Sequence, residues 1–64
     1  MKQFYSKWVN DSFKDKIYKI SKNGFGKPYV EEIRSDGYYT KLDMSMDQLF
    51  DFEGMLLKNG WRKV

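Results

Sequence analysis

The sequence contains no cysteine and no histidine. The first absence removes disulfides and thiolate chemistry, and the two together remove the usual ligands of a zinc site and the commonest general base. A chain without cysteine fits a reducing compartment, and a cytoplasmic location is expected. Long apolar runs are missing too. Nothing approaches the roughly 18 apolar residues of a membrane span, no apolar stretch follows Met1-Lys2, and Met1 reads as the native start of a soluble chain. No linker, repeat or low-complexity tract is present, so residues 1–64 are expected to form a single domain. A surplus of carboxylates is also absent. With 12 Lys and Arg against 9 Asp and Glu the net charge is +3, which excludes a mimic of DNA and is too small by itself to identify a nucleic-acid binder.

What the sequence does have is aromatic side chains, 19% of its residues. In so short a chain few positions are fully buried, and aromatics offset the shortage by burying more area per residue. The same residues are the usual anchors of interfaces, so the enrichment points two ways. The charge is unevenly spread: residues 1–28 hold seven lysines against two aspartates, and the remainder is mildly acidic.

Asn23-Gly24 and Asp36-Gly37 are pairs that tolerate positive φ, and each predicts a two-residue hairpin turn. Folding the chain at both sets Tyr18 opposite Tyr29, Ile20 opposite Lys27, Ile33 opposite Thr40, Arg34 opposite Tyr39 and Glu32 opposite Lys41. Alternation then collects Tyr18, Ile20, Tyr29, Ile33, Tyr38, Leu42 and Met44 on a core face. The other face receives Ile17, Lys19, Val30, Glu32, Arg34, Tyr39, Lys41 and Asp43. Pro28 falls near the start of the middle strand, where a missing N–H costs least, and Gly26 marks a bulge or a longer loop.

The helix has the most signals. Ser45 with Gln48 forms a capping box, Met44 and Leu49 sit where a hydrophobic staple closes, and Gly60 with Trp61 reads as a Schellman ending that packs back on Leu56. The span is residues 46–59, with Met46, Leu49, Phe50, Phe52, Leu56 and Leu57 on one arc facing the sheet. Residues 3–9 fit a helical stripe as well as a strand. Their β-favouring composition and the turn signal Asn10-Asp11-Ser12 favour a strand, with a further strand beginning at Phe13. The fold class is therefore α+β: an antiparallel sheet of four strands, or three if residues 3–9 are helical, packed against one C-terminal helix in the order ββββα.

Catalysis finds no support. Gly24-Phe25-Gly26-Lys27 lacks the spacing of a phosphate loop, Glu31-Glu32 point to opposite faces, and Asp47 with Asp51 lie one turn apart on an exposed helix face. A non-enzymatic module with no cofactor and no metal is expected. Glu53 breaks the apolar arc of the helix and is expected to bond Lys16 or a tyrosine hydroxyl, or else to contact a partner. The polar sheet face is the candidate site: Lys19, Arg34 and Lys41 could track phosphates, Tyr39 could stack a base, and Lys22 and Lys27 lie at the margin, with Lys7. The competing reading is a solvated face on which Glu32 pairs Lys41 and Asp43 pairs Arg34. Tyr5, Trp8 and Phe25, with Glu53, are the candidates for contact with another protein.

The segment Lys41-Leu42-Asp43-Met44-Ser45-Met46-Asp47-Gln48-Leu49-Phe50, after the predicted strands, resembles the strand-to-helix junction of the positive-cofactor-four (p15) coactivator family. That resemblance implies a four-stranded sheet followed by a helix, single-strand binding and a homodimer. The chain lacks the long second half of that helix, since Gly60 and Trp61 end the element early. Its short, Lys- and aromatic-rich style also resembles small bacteriophage accessory proteins, many of which bind and inhibit a host protein. The expected function is single-stranded nucleic-acid binding through the sheet face; the alternative is a phage-type modulator of a host protein. A homodimer is the third arrangement, because so short a chain carries so many aromatics.

Overall fold

The computed structural model describes residues 5–64. The chain runs through β1 (Tyr5–Val9), β2 (Lys16–Lys22), β3 (Pro28–Arg34), β4 (Tyr39–Asp43), α1 (Met46–Lys58) and β5 (Arg62–Lys63). The strands form one antiparallel sheet in the order β4-β3-β2-β1-β5, with α1 across one face. This is the expected α+β architecture, ββββα, extended by a short fifth strand that pairs with β1. Of the predicted first strand, residues 3 and 4 lie outside the described residues. No helix among the described residues is long and apolar enough to cross a membrane.

The helix forms as its sequence dictates. The Ser45 hydroxyl accepts from the Gln48 N–H, the Gln48 side chain accepts from the Ser45 N–H, and the stapling residues Met44 and Leu49 are both buried. At the far end Gly60 adopts φ +87°, and the N–H groups of Trp61 and Gly60 donate to the carbonyls of Leu56 and Leu57. That reversal buries Trp61. Its ring lies 4.8 Å from Tyr18, which meets Phe52 edge-on at 5.3 Å. Asn10 ties the end of β1 to the same corner: its side chain donates to the Asn59 carbonyl and accepts from the Ser12 N–H.

The hairpins differ from expectation in one respect that propagates. Neither is a two-residue turn. Each closes on three residues, Gly24-Phe25-Gly26 and Ser35-Asp36-Gly37, ending in a glycine with positive φ, +79° at Gly26 and +94° at Gly37. Asn23 and Asp36 keep negative φ because their side chains accept backbone N–H groups ahead of them, Phe25 and Lys27 at Asn23 and Tyr38 at Asp36. The register becomes Tyr18 opposite Glu32, Ile20 opposite Val30, and Ile33 opposite Tyr39. The first hairpin is displaced by an odd number of residues, which turns β3 over relative to β2. The second is displaced by one residue, which turns β4 over relative to β3 and so restores its predicted face.

The core contains Trp8, Ile20, Val30, Met44, Leu49, Leu56 and Trp61, with Tyr18 and Phe52 packed against it. Val30 is therefore a core residue rather than an outer one, and Tyr29 and Ile33 leave the predicted core for the opposite face. Tyr38 leaves it as well, lying exposed against the Arg34 guanidinium at 4.4 Å. Trp8, expected to be available to a partner, is 2% exposed because the alternation of β1 points Ser6 and Trp8 toward α1. Phe13 does not start a strand; it precedes the turn that leads into β2 and stacks on Trp61 at 6.1 Å.

Candidate nucleic-acid interface

Directly paired residues of an antiparallel sheet share a face, so the register defines the surface opposite α1. Three rows cross it. The middle row is Lys7, Lys19, Glu31 and Lys41, one residue from each of β1 to β4. Beside it on one flank run Tyr5, Ser21, Tyr29 and Asp43, and on the other Ile17, Ile33 and Tyr39. At the usual spacing between strands the lysine row spans about 14 Å. Nothing among the described residues packs over it, and Tyr5 and Tyr39 are more than half exposed.

The rows are linked in two places. The Lys41 ammonium lies 4.4 Å from the ring centroid of Tyr29, and the Tyr39 hydroxyl donates to the Glu31 carboxylate. That hydrogen bond raises the Tyr39 pKa above its ordinary 10.0, with desolvation and the charge of Glu31 acting in the same direction. Glu31 is thus occupied by a phenol. Among the described residues Lys7, Lys19 and Lys41 make no ion pair; the ion pairs are Arg34 with Glu32 at 2.6 Å and Arg62 with Asp11 at 3.3 Å. The cross-strand pairs expected between Glu32 and Lys41 and between Asp43 and Arg34 do not form, because β3 presents Glu31 rather than Glu32 to this face.

Of the residues singled out in the sequence, Lys19, Tyr39 and Lys41 come together here. Arg34 does not: it follows Glu32 to the α1 side, where its guanidinium is held by that carboxylate, with its pKa raised chiefly by the hydrogen bond. It lines an open depression of about 270 Å³ there with Phe13, Asp15, Lys16 and Asp36, in which both signs of charge are present. Lys22 pairs with Pro28 on the α1 side, and Lys27 is exposed just past the first hairpin loop. Among the other candidates, Tyr5 joins the open face and Phe25, 98% exposed, forms the tip of that loop. Glu53 is half-buried, and neither expected bond forms among the described residues; the Lys16 ammonium instead lies 5.3–5.6 Å from the rings of Phe13, Tyr18 and Trp61.

Sequence reasoning missed Tyr29 as a site residue and left Lys7 at the margin. Tyr29 would have required the three-residue loop, for which the second glycine of Gly24-Phe25-Gly26 was the available signal. Lys7 would have required the β1 register, which its composition does not specify. No family model matches the chain, and neither curated proteins nor solved structures provide a match.

Proposed function

We propose that the chain is a non-catalytic module that binds single-stranded nucleic acid across the uncovered sheet face. The observation that carries this reading is a row of three lysines without carboxylate partners, flanked by Tyr5 and Tyr29 on one side and Tyr39 on the other. Ammonium groups supply affinity for a phosphate backbone by releasing counterions, and tyrosine rings stack on bases of any sequence, so binding is tolerant of sequence and sensitive to salt. A flat sheet face suits an extended strand better than a duplex, whose bases are already stacked on one another.

Fluorescence anisotropy with short DNA and RNA oligonucleotides tests the reading. Affinity is expected to fall steeply between about 50 and 200 mM salt, with Lys19→Ala and Lys41→Ala each lowering the salt slope by roughly 0.7 for a single strand. Arg34→Ala, on the other side of the sheet, is the control and leaves the slope unchanged. Binding indifferent to salt, or an Arg34→Ala loss as large as that of Lys41→Ala, overturns it. The half-buried Ile17 and Ile33 on the same face favour the competing reading, a modulator of a host protein. A specific protein partner retained after nuclease treatment in about 0.5 M salt would replace nucleic acid as the ligand.

A further inference from the structure

β4 closes one side of the sheet, and all five of its residues are exposed. The register shows which of them face outward along the edge. The Arg34 N–H donates to the Tyr38 carbonyl and the Met44 N–H to the Pro28 carbonyl, so Tyr38, Thr40, Leu42 and Met44 direct their backbone groups at β3. Alternation leaves the N–H and C=O groups of Tyr39, Lys41 and Asp43 directed away from the sheet. Such an edge is a template for another strand, and charges placed on it decide what can pair there.

We propose that this edge pairs antiparallel with the same edge of a second copy of the chain, about a two-fold axis at Leu42. Three symmetric registers pair three or more residues of β4, those centred on Thr40, Lys41 and Leu42. Centring on Thr40 sets Lys41 opposite Tyr39 and forms no pair of opposite charges. Centring on Lys41 sets two ammonium groups opposite each other, which is unfavourable. Centring on Leu42 sets Lys41 opposite Asp43 of the second copy, and the reverse, so that both cross-strand pairs carry opposite charges on the open face. In that register the Lys41 and Asp43 backbone groups form closely spaced hydrogen-bonded pairs, and Leu42 meets Leu42 at a non-hydrogen-bonded position, where side chains approach most closely. Leu42, 57% exposed in the single chain, is then covered on the α1 side. The two sheets become continuous and both helices lie on one side, which joins the open faces into a single surface. The pairing does not depend on nucleic acid, and its test omits nucleic acid.

Sedimentation equilibrium of the full chain is expected to show a monomer–dimer equilibrium with a dissociation constant below about 1 mM. Lys41→Asp sets like charges at both pairs and raises that constant about tenfold, and the double exchange Lys41→Asp with Asp43→Lys restores it. Register is read by crosslinking, since the chain has no cysteine of its own. Leu42→Cys places two thiols across the axis, where Cα atoms about 4.5 Å apart lie within the range of a disulfide, and oxidised glutathione is expected to link them. Thr40→Cys places its thiols roughly 13 Å apart along the strands and is expected to stay unlinked. A chain that remains monomeric at millimolar concentration, a dimer indifferent to Lys41→Asp, or equal crosslinking at positions 40 and 42 overturns the proposal. Circular dichroism confirms that each variant is folded, and Leu42→Cys carries the test if the charge variants are not.

Discussion

The two faces of the sheet are made by the same strands and differ in what lies over them. On the α1 side Trp8, Ile20 and Val30 meet Leu49, Leu56 and Trp61, and the buried Trp8 indole N–H is satisfied by the Ser6 hydroxyl. On the other side Ile17 and Ile33 are only half-buried, and the lysines between the tyrosines keep their charges unpaired. Val30 and Ile33 show the consequence most directly, being equivalent in hydrophobicity and three residues apart on one strand. Val30 is 4% exposed and Ile33 is not buried. Burial here follows from parity along the strand, so stability should be concentrated on one face and left to the other only in small amounts.

The largest expected effect tests that division. Leu56 is fully buried, and Leu56→Ala should cost about 2–5 kcal/mol through lost transfer energy and the cavity left behind. In a domain of this size, where folding stability is roughly 0.05–0.15 kcal/mol per residue, that loss is a large fraction of the total. Ile33→Ala removes a similar volume from the open face and should cost about 1 kcal/mol, since part of the side chain is already in water. Urea denaturation of both variants gives the ratio. Equal losses would mean that the open face is covered in solution, and the contrast between the faces would then disappear.

How far the contrast was legible in the sequence depends on the range of each signal. The helix ends are specified by neighbours in sequence, Ser45 with Gln48 and Gly60 with Trp61, and they formed as read. Sheet faces are specified by loop length, and a loop one residue longer reverses a whole strand. Tyr39 and Lys41 reached the expected face because both hairpins are displaced by an odd number of residues and the two reversals cancel at β4. Arg34, Tyr29 and Ile33 lie between the two loops, where only one reversal has acted, and all three are on the face opposite to expectation. β5 had no signal to read: both its residues are exposed, and its pairing with β1 is carried by the backbone. Glu53 broke the apolar pattern without gaining a partner among the described residues, because the arc of the helix is wider than the strip the sheet covers.

A smaller effect concerns how the covered face is closed. Gly60 turns the chain at φ +87° so that Trp61 can return beneath the end of α1. A Cβ at this position would meet only the Asn10 amide at 3.7 Å, an ordinary contact, so the cost of Gly60→Ala is conformational, about 1–2 kcal/mol. Thermal unfolding should show that loss with the Trp61 environment retained in near-ultraviolet circular dichroism. If the signal of Trp61 were lost while the helix stayed folded, the corner built by Tyr18, Phe52 and Trp61 would depend on the turn more than on its own packing.

The smallest effect is on the open face and concerns whether its lysine row is truly uncompensated. The phenol of Tyr39 is more stable in its neutral, hydrogen-bonded form beside Glu31, so its pKa in the folded chain lies above the ordinary 10.0. The sign follows directly: the unfolded tyrosine ionises first as pH rises. Stability from this bond is therefore fully present below the unfolded pKa and is lost as pH climbs through the folded one. Subtracting the ultraviolet absorbance titration of Tyr39→Phe from that of the native chain isolates this phenol, and Glu31→Gln should bring it back toward the ordinary value. A Tyr39 that titrates normally in the native chain would mean that Glu31 is not held by it. The carboxylate would then be available to Lys19 and Lys41 on either side, and the cationic row on which the open face differs from the covered one would be partly neutralised by its own third member.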